Sequence, residues 1–347
     1  MRYEGGYKGF GQSGLKISRL ALGLGFRTQT DTKKAESLIR EAIDKGINLI
    51  DCGNIYTLGG ELNGIRSEEI LGKAIKNNRD KVVITSKVGS IMLKDRGPNE
   101  YGASRSHIMR EIDKSLKRIG TDYIDVYLLH DPDPTTPFEE QFRTFETLIQ
   151  QGKIRYVGLC NHKAWQVAVS LSVIERINAQ KLLTVQNPYS LLNRSLEYEM
   201  FPLARYSGIG IMAYSLLGVG LLSGTYSPDE ELKEDAFWGK NQLFREYFND
   251  VFSGRVLEIV STVKSIAEKH SVKMAQVAVA WVLSKPEITV AVMGSDTSEQ
   301  LNDTIAAAQL HLSMDDIRLL DDVSEGLRMS FMNYDLKRYR RNKYERN

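Results

Sequence analysis

Ile47-Asn-Leu-Ile-Asp-Cys-Gly-Asn-Ile-Tyr56 begins as an apolar strand, ends it on the carboxylate of Asp51, and reaches a phenol at Tyr56. Two later runs repeat the pattern: Val82-Val-Ile-Thr-Ser-Lys87 ends on an amine and Asp125-Val-Tyr-Leu-Leu-His130 on an imidazole. An ionisable cap is a poor core residue. It suits a rim, because the strand ends and following loops of a parallel α/β barrel converge on one face. Asp51, Tyr56, Lys87 and His130 are therefore the first candidates for chemistry.

The same reading extends along the chain. Candidate strands are Leu20–Gly25, Gly46–Asp51, Val82–Lys87, Tyr123–His130, Ile154–Cys160, Leu182–Gln186, Ile209–Tyr214 and Ile288–Met293. Between them, Thr32–Lys45, Ser67–Asn77, Ser104–Ile119, Pro137–Gln150, Lys163–Ile177 and Leu196–Tyr206 carry apolar residues at helical spacing. Lys45-Gly46 and Gln151-Gly152 supply helix-ending glycines. Eight β-α units predict a (β/α)8 TIM barrel with long loops at the C-terminal face. The segment Lys8–Ser18 reads as a hairpin around Gln12-Ser-Gly14 that closes the bottom. The competing doubly wound fold calls for Gly-x-Gly-x-x-Gly after the first strand, but Gly23-Leu-Gly25 is followed by Phe26-Arg27-Thr28.

Composition sets the bounds. The 347 residues are 42% hydrophobic and 26% charged, with no linker, repeat or low-complexity tract, so residues 1–347 read as a single domain. A net charge of +2 gives no global field for nucleic acid. Only the tail at about 334–347 is locally basic: Lys337, Arg338, Arg340, Arg341, Lys343 and Arg346 outnumber Asp335 and Glu345, which reads as a solvated or subunit-contacting tail. Cys52 and Cys160 are the two cysteines, giving no disulfide framework and no zinc spacing, so no metal is expected. No signal-peptide core or membrane-length apolar run occurs, and a cytoplasmic protein without nucleic-acid or membrane partners is expected.

From about Gly9 to Asp321 the chain resembles the aldo-keto reductases. The resemblance is carried by Asp51-x-x-x-x-Tyr56, Arg66-Ser-Glu-Glu-Ile-Leu-Gly72, Ser86-Lys87, Leu128-Leu-His130, Val157-Gly-Leu-Cys-Asn161, Val185-Gln-Asn-Pro-Tyr189, Ala213-Tyr-Ser-Leu-Leu-Gly218 and Gly294-Ser-Asp-x-x-x-Gln300. Any one motif is weak; all of them in order on the expected strand ends are specific. It implies an NAD(P)-dependent oxidoreductase that interconverts a small carbonyl and its alcohol by hydride transfer.

The chemistry of the four residues agrees. Reduction of a carbonyl needs a proton donor, and a tyrosine with a pKa of about 10 is reluctant at neutral pH. The Lys87 ammonium is expected to lower the pKa of Tyr56, Asp51 to hold Lys87, and His130 to orient the substrate oxygen. Taken singly, an Asp-Lys pair is as readily a structural ion pair and a strand-end histidine a rim residue; together they point to catalysis.

By the same resemblance, Asn161 and Gln186 stand where side chains hold the nicotinamide carboxamide, and Tyr214 where a ring stacks on the nicotinamide. Phe26, Asp51 and Cys160 also fall among the cofactor residues, Ser215, Leu217 and Gly218 along the pyrophosphate, and Gly294, Ser295, Asp296, Gln300, Asp303 and Thr304 at the adenosine half. The chain departs from the family at Cys160, where serine is usual, at Leu216, where proline is common, and at Thr304, where asparagine is usual. It also offers Asp296 and Gln300 where NADPH-preferring relatives carry a cation. A carboxylate repels a 2′-phosphate and accepts from a free 2′-hydroxyl, so NAD(H) is favoured over NADP(H). The other arrangement has Asp296 in solvent and Lys240 or Arg245 on the phosphate.

Three segments are expected to wall the substrate pocket: Thr57–Ile65, Ser90–Ala103, and Ser223–Asp250 with Phe237, Trp238, Phe244, Tyr247 and Phe248. Their polar and aromatic residues suit a sugar and an aromatic aldehyde alike. A small-molecule carbonyl or alcohol is the expected partner, and a homo-oligomer is compatible with the sequence. The alternative is a nucleotide-binding regulatory subunit with slow oxidoreductase activity, the basic tail serving its partner.

Overall fold

A computed structural model describes residues 2–60, 64–90, 97, 99–226, 232–234, 237–239 and 242–329. A two-stranded antiparallel hairpin, β1 (Tyr7–Gly9) and β2 (Lys16–Ser18), precedes eight parallel strands. These are β3 (Leu20–Gly23), β4 (Leu49–Asp51), β5 (Val83–Val88), β6 (Ile124–Leu129), β7 (Ile154–Cys160), β8 (Leu182–Pro188), β9 (Gly210–Tyr214) and β10 (Ile288–Met293). They close in sequence order, with β10 pairing to β3, so the structure is a (β/α)8 barrel.

Helices α1 (Thr32–Asp44), α2 (Ser67–Ile75), α3 (Arg105–Ile119), α4 (Phe138–Gln150), α5 (Ala164–Arg176) and α6 (Met200–Ser207) each follow a strand, as their periodicity predicts. The passage from β9 to β10 carries α7 (Gln242–Val251), α8 (Arg255–His270) and α9 (Met274–Ser284), and α10 (Ser298–Ala307) and α11 (Met314–Ser324) follow β10. The second strand is shorter than expected. Gly46 has φ 99° and its N–H, like that of Ile47, closes the end of α1, so pairing starts only at Leu49.

Strand residues alternate between the barrel interior and the helical layer. Leu49, Val83, Val126, Met212 and Val290 fill the interior, and Phe10 and Ile17 of the hairpin pack fully buried among them. Gly11 permits that approach: at φ 52°, a Cβ there would lie 2.4 Å from the Leu183 carbonyl oxygen. On the outside, Gly72 of α2 lies so close to α3 that a Cβ would stand 2.4 Å from the Ile119 carbonyl oxygen. The bottom is thus plugged, which leaves the C-terminal rim for a ligand.

Several sequence-based expectations fall outside the described residues: the basic tail, Lys240, the side chain of Phe237, and parts of the segments 57–65, 90–103 and 223–250.

Candidate active site

Asp51 ends β4, Lys87 stands on the adjacent β5 and His130 follows β6, so three neighbouring strands deliver three of the four residues to one rim. Tyr56 arrives from the loop after β4. Lys87 is fully buried and its Nζ donates to Asp51 Oδ2 at 2.7 Å and to the Cys52 carbonyl at 2.8 Å. It also lies 4.8 Å from the centroid of the Tyr56 ring. Asp51 Oδ1 accepts from Thr85 Oγ1 at 2.5 Å and from Gln186 Nε2 at 2.9 Å. The Tyr56 hydroxyl is 3.3 Å from His130 Nε2, with the two rings edge to face. The structure brings all four together.

Burial dominates the electrostatics here. It would favour a neutral amine at Lys87, but the carboxylate of Asp51, by its charge and its hydrogen bond, holds the lysine charged, with its pKa above the usual value. At Tyr56 burial pushes the phenol up, and the opposing pull of Lys87 is smaller. The expected lowering by Lys87 is present in direction but outweighed, so Tyr56 rests as a protonated acid. Burial, with Lys87 adding to it, pushes His130 down to about 3, which leaves a neutral imidazole. Among the described residues its Nδ1 is buried without a partner. Cys52 and Cys160 are buried thiols, and burial raises the pKa of both.

Around this centre lie the expected cofactor residues. Gln186 turns its Oε1 to the Cys160 thiol at 3.5 Å, and Asn161 Oδ1 accepts from the Tyr214 hydroxyl at 2.6 Å. After β9 the chain takes left-handed φ values at Ser215 (60°), Gly218 (54°), Val219 (57°) and Gly220 (90°), with Leu217 half-buried against the core. Phe26 is buried in the core at φ 38°. Ser295 and Asp296 are buried, and a Cβ built on Gly294 or Gly25 meets nothing within 4 Å.

Asp296 does not lie in solvent: its Oδ2 accepts from the backbone N–H and the hydroxyl of Thr28, at 2.8 and 2.5 Å. The amide of Gln29 donates to the Asp296 carbonyl at 2.9 Å, and Gln300 Oε1 accepts from the Asp296 N–H at 2.7 Å. Asp303 pairs with Lys273 at 2.8 Å, and the Thr304 hydroxyl donates back to the Gln300 carbonyl at 2.9 Å. Both polar groups are thus turned to the protein.

Among the aromatic residues expected to wall the pocket, Trp238 and Phe248 are buried. They pack on each other and on Tyr247 and Phe252, and Trp238 Nε1 donates to the Val219 carbonyl at 3.1 Å. They form the interior of the cap over the β9 loop. Arg245 Nε donates to the Gly239 carbonyl at 3.0 Å within the same cap.

The sequence reading passed over Thr28, Thr85, Asp131 and Met212, all of which touch the residues above. For Thr85 a signal existed, since it shares the face of Lys87 two residues on, opposite Asp51.

A model of the family described as "Aldo/keto reductase family" matches residues 10–325. The chain belongs to the aldo/keto reductase family. This aldo/keto reductase is 36% identical over 330 residues, 92% of its own length and 96% of the relative's, to the uncharacterized oxidoreductase YrpG of Bacillus subtilis. It is 33% identical over 310 residues, 88% of this chain and 91% of the relative, to a probable voltage-gated potassium channel subunit beta of Arabidopsis thaliana. It is 30% identical over 342 residues, 91% and 96% of the two chains, to versiconal hemiacetal acetate reductase of Aspergillus parasiticus. Membership makes NAD(P)-dependent oxidoreduction the general chemistry of the chain. Among the described residues no helix is long and apolar enough to cross a membrane.

Proposed function

We propose that this aldo/keto reductase interconverts a small aldehyde, ketone or sugar and its alcohol, with Tyr56 as general acid and base. The observation that carries the reading is the buried Lys87–Asp51 pair beneath the Tyr56 ring, with His130 Nε2 at 3.3 Å from the phenol oxygen. A substrate oxygen seated between Tyr56 and His130 meets a protonated phenol and a neutral imidazole, one to give a proton and one to orient. In the reverse direction Lys87 favours the phenolate, and Asp51 keeps the ammonium fixed.

The nicotinamide nucleotide supplies the hydride when bound. The donor set fits it: the side-chain amide of Asn161 meets the Tyr214 hydroxyl, and that of Gln186 meets the thiol of Cys160, the residue before Asn161. The left-handed residues Ser215, Gly218, Val219 and Gly220 suit backbone approach to a pyrophosphate, and Gly25 and Gly294 leave open space at the ends of β3 and β10. The buried Asp296 carboxylate beside Gln300 supports NAD(H) over NADP(H), because a 2′-phosphate brought near it is repelled. Two buried free cysteines accord with a cytoplasmic setting.

Single-turnover oxidation of bound NADH and NADPH by a panel of sugars and aldehydes tests the reading. Rapid oxidation by at least one carbonyl is expected, faster and tighter with NADH. Failure of every carbonyl to oxidise either nucleotide would refute it. The likeness to a potassium channel subunit beta favours a second reading, a nucleotide-binding subunit whose slow turnover reports cofactor state to a partner. Tight nucleotide binding with persistently slow turnover would select that reading.

A further inference from the structure

Asn161 is gripped from one side by two groups that only accept. Its Nδ2 donates to the His130 carbonyl at 2.9 Å and to Asp131 Oδ1 at 3.1 Å. Neither a carbonyl nor a carboxylate can donate, so turning the amide over would set oxygen against oxygen. Its Oδ1 is thereby left on the other side, where the Tyr214 hydroxyl donates to it. Asp131 is 4% exposed, and its second oxygen accepts from Ser90 Oγ at 3.1 Å, which ties the arrangement to the end of β5. Gln186 is held the same way round, its Nε2 on Asp51 and its Oε1 toward the Cys160 thiol.

We propose that Asp131 is a positioning residue that fixes the polarity of Asn161, so that the site offers an oxygen rather than an N–H to the nicotinamide carboxamide. The proposal rests on the placement of the carboxamide against Asn161 and Gln186 described above. With both amides presenting oxygens, the match is to the NH2 of the carboxamide. A ligand carrying a methyl group there, the 3-acetylpyridine analogue of the dinucleotide, loses both partners.

The test is the ratio of dissociation constants for the oxidised dinucleotide and its 3-acetylpyridine analogue, measured by calorimetry on the full chain, with adenosine diphosphate ribose as a ligand that lacks the ring. Wild type should prefer the carboxamide by about thirtyfold, the value of two lost hydrogen bonds at about fivefold each. In Asp131→Ala the preference should fall toward the about fivefold that Gln186 alone supplies, while the affinity for adenosine diphosphate ribose holds. Asp131→Asn, whose Oδ1 can still accept, should restore it. Asp131→Ser, too short to span the contact with Asn161, gives the same reading should the alanine variant not fold. A preference unchanged in the alanine and serine variants would overturn the role of Asp131, as would a wild type that binds both dinucleotides equally. Failure of wild type to bind either dinucleotide or adenosine diphosphate ribose would instead remove the nucleotide reading beneath it.

Discussion

Replacing Lys87 by methionine removes the only cation in contact with Asp51 among the described residues and leaves that carboxylate buried, its side chain 5% exposed. Breaking a buried pair by deleting one partner costs about 3–5 kcal/mol, because the remaining charge stays desolvated. Two donors, Thr85 Oγ1 and Gln186 Nε2, still reach Asp51 Oδ1, which places the expected loss near the low end, about 3 kcal/mol. Activity should fall by roughly two to four orders of magnitude, since nothing then favours the phenolate. The double variant Asp51→Asn/Lys87→Met separates the two effects. An amide at 51 needs no cation, so stability should return by about 2 kcal/mol relative to the single lysine variant, while turnover stays at the single-variant level. Urea unfolding at pH 7 and the rate of nucleotide oxidation measure the two quantities on the same samples. A single variant destabilised by less than about 1 kcal/mol would show that Asp51 and Lys87 are not a desolvated pair, and a double variant with restored turnover would take Lys87 out of the mechanism.

Tyr56→Phe should bind nucleotide as wild type does and lose roughly two to four orders of magnitude in kcat; near wild-type turnover on the best substrate removes Tyr56 as the acid. Asp296→Asn keeps an oxygen for Thr28 and deletes the charge, so the ratio of NADH to NADPH affinities, read by fluorescence titration, should drop by about tenfold. That value follows from a charge interaction at about 6 Å and an effective dielectric of about 20, discounted for screening; an unchanged ratio means Asp296 does not act on the 2′ position. Burial also holds His162 neutral, at about 4, as it holds His130 at about 3, against 6.5 for a free imidazole. The unfolded chain takes up these protons first, so their contribution to stability is complete above pH 6.5 and lost as the pH falls through that window. At pH 5 each costs about 2 kcal/mol. His162→Gln should therefore shrink the difference in unfolding free energy between pH 7 and pH 5 by about that amount, and an unchanged difference would mean that His162 is not buried neutral.

Much of this molecule was legible in its sequence because strand ends and helix periods are local properties. Asp51, Lys87 and His130 could be placed on one rim once three apolar runs were seen to end on them. What stayed hidden depends on direction. The sequence put Asp296 at the adenosine end, but that its carboxylate turns to Thr28 follows from the closeness of two loops far apart in the chain. Asp303 and Thr304 were read as ligand contacts, yet α10 packs on α9 so that Lys273 takes the first, and the second caps its own helix turn. Trp238 and Phe248 were read as walls from their aromatic character, whereas an aromatic side chain in a long connection serves equally well as the core of a cap. The net pKa of Tyr56 was also out of reach, since it depends on how much water the folded rim excludes.

The pairing of β10 with β3 sets the order in which the protein becomes competent during synthesis. Until Ile288–Met293 has been made, β3 and β9 are open edges whose backbone donors and acceptors face water or another chain. The tetrad is complete by His130, but its barrel is not, and the Thr28–Asp296 clasp cannot form before the last strand is seated. A nascent chain therefore carries its acid, base and ion pair through all of the synthesis from His130 to Met293 on an unfinished, adhesive sheet. Only the final strand turns that sheet into a ring.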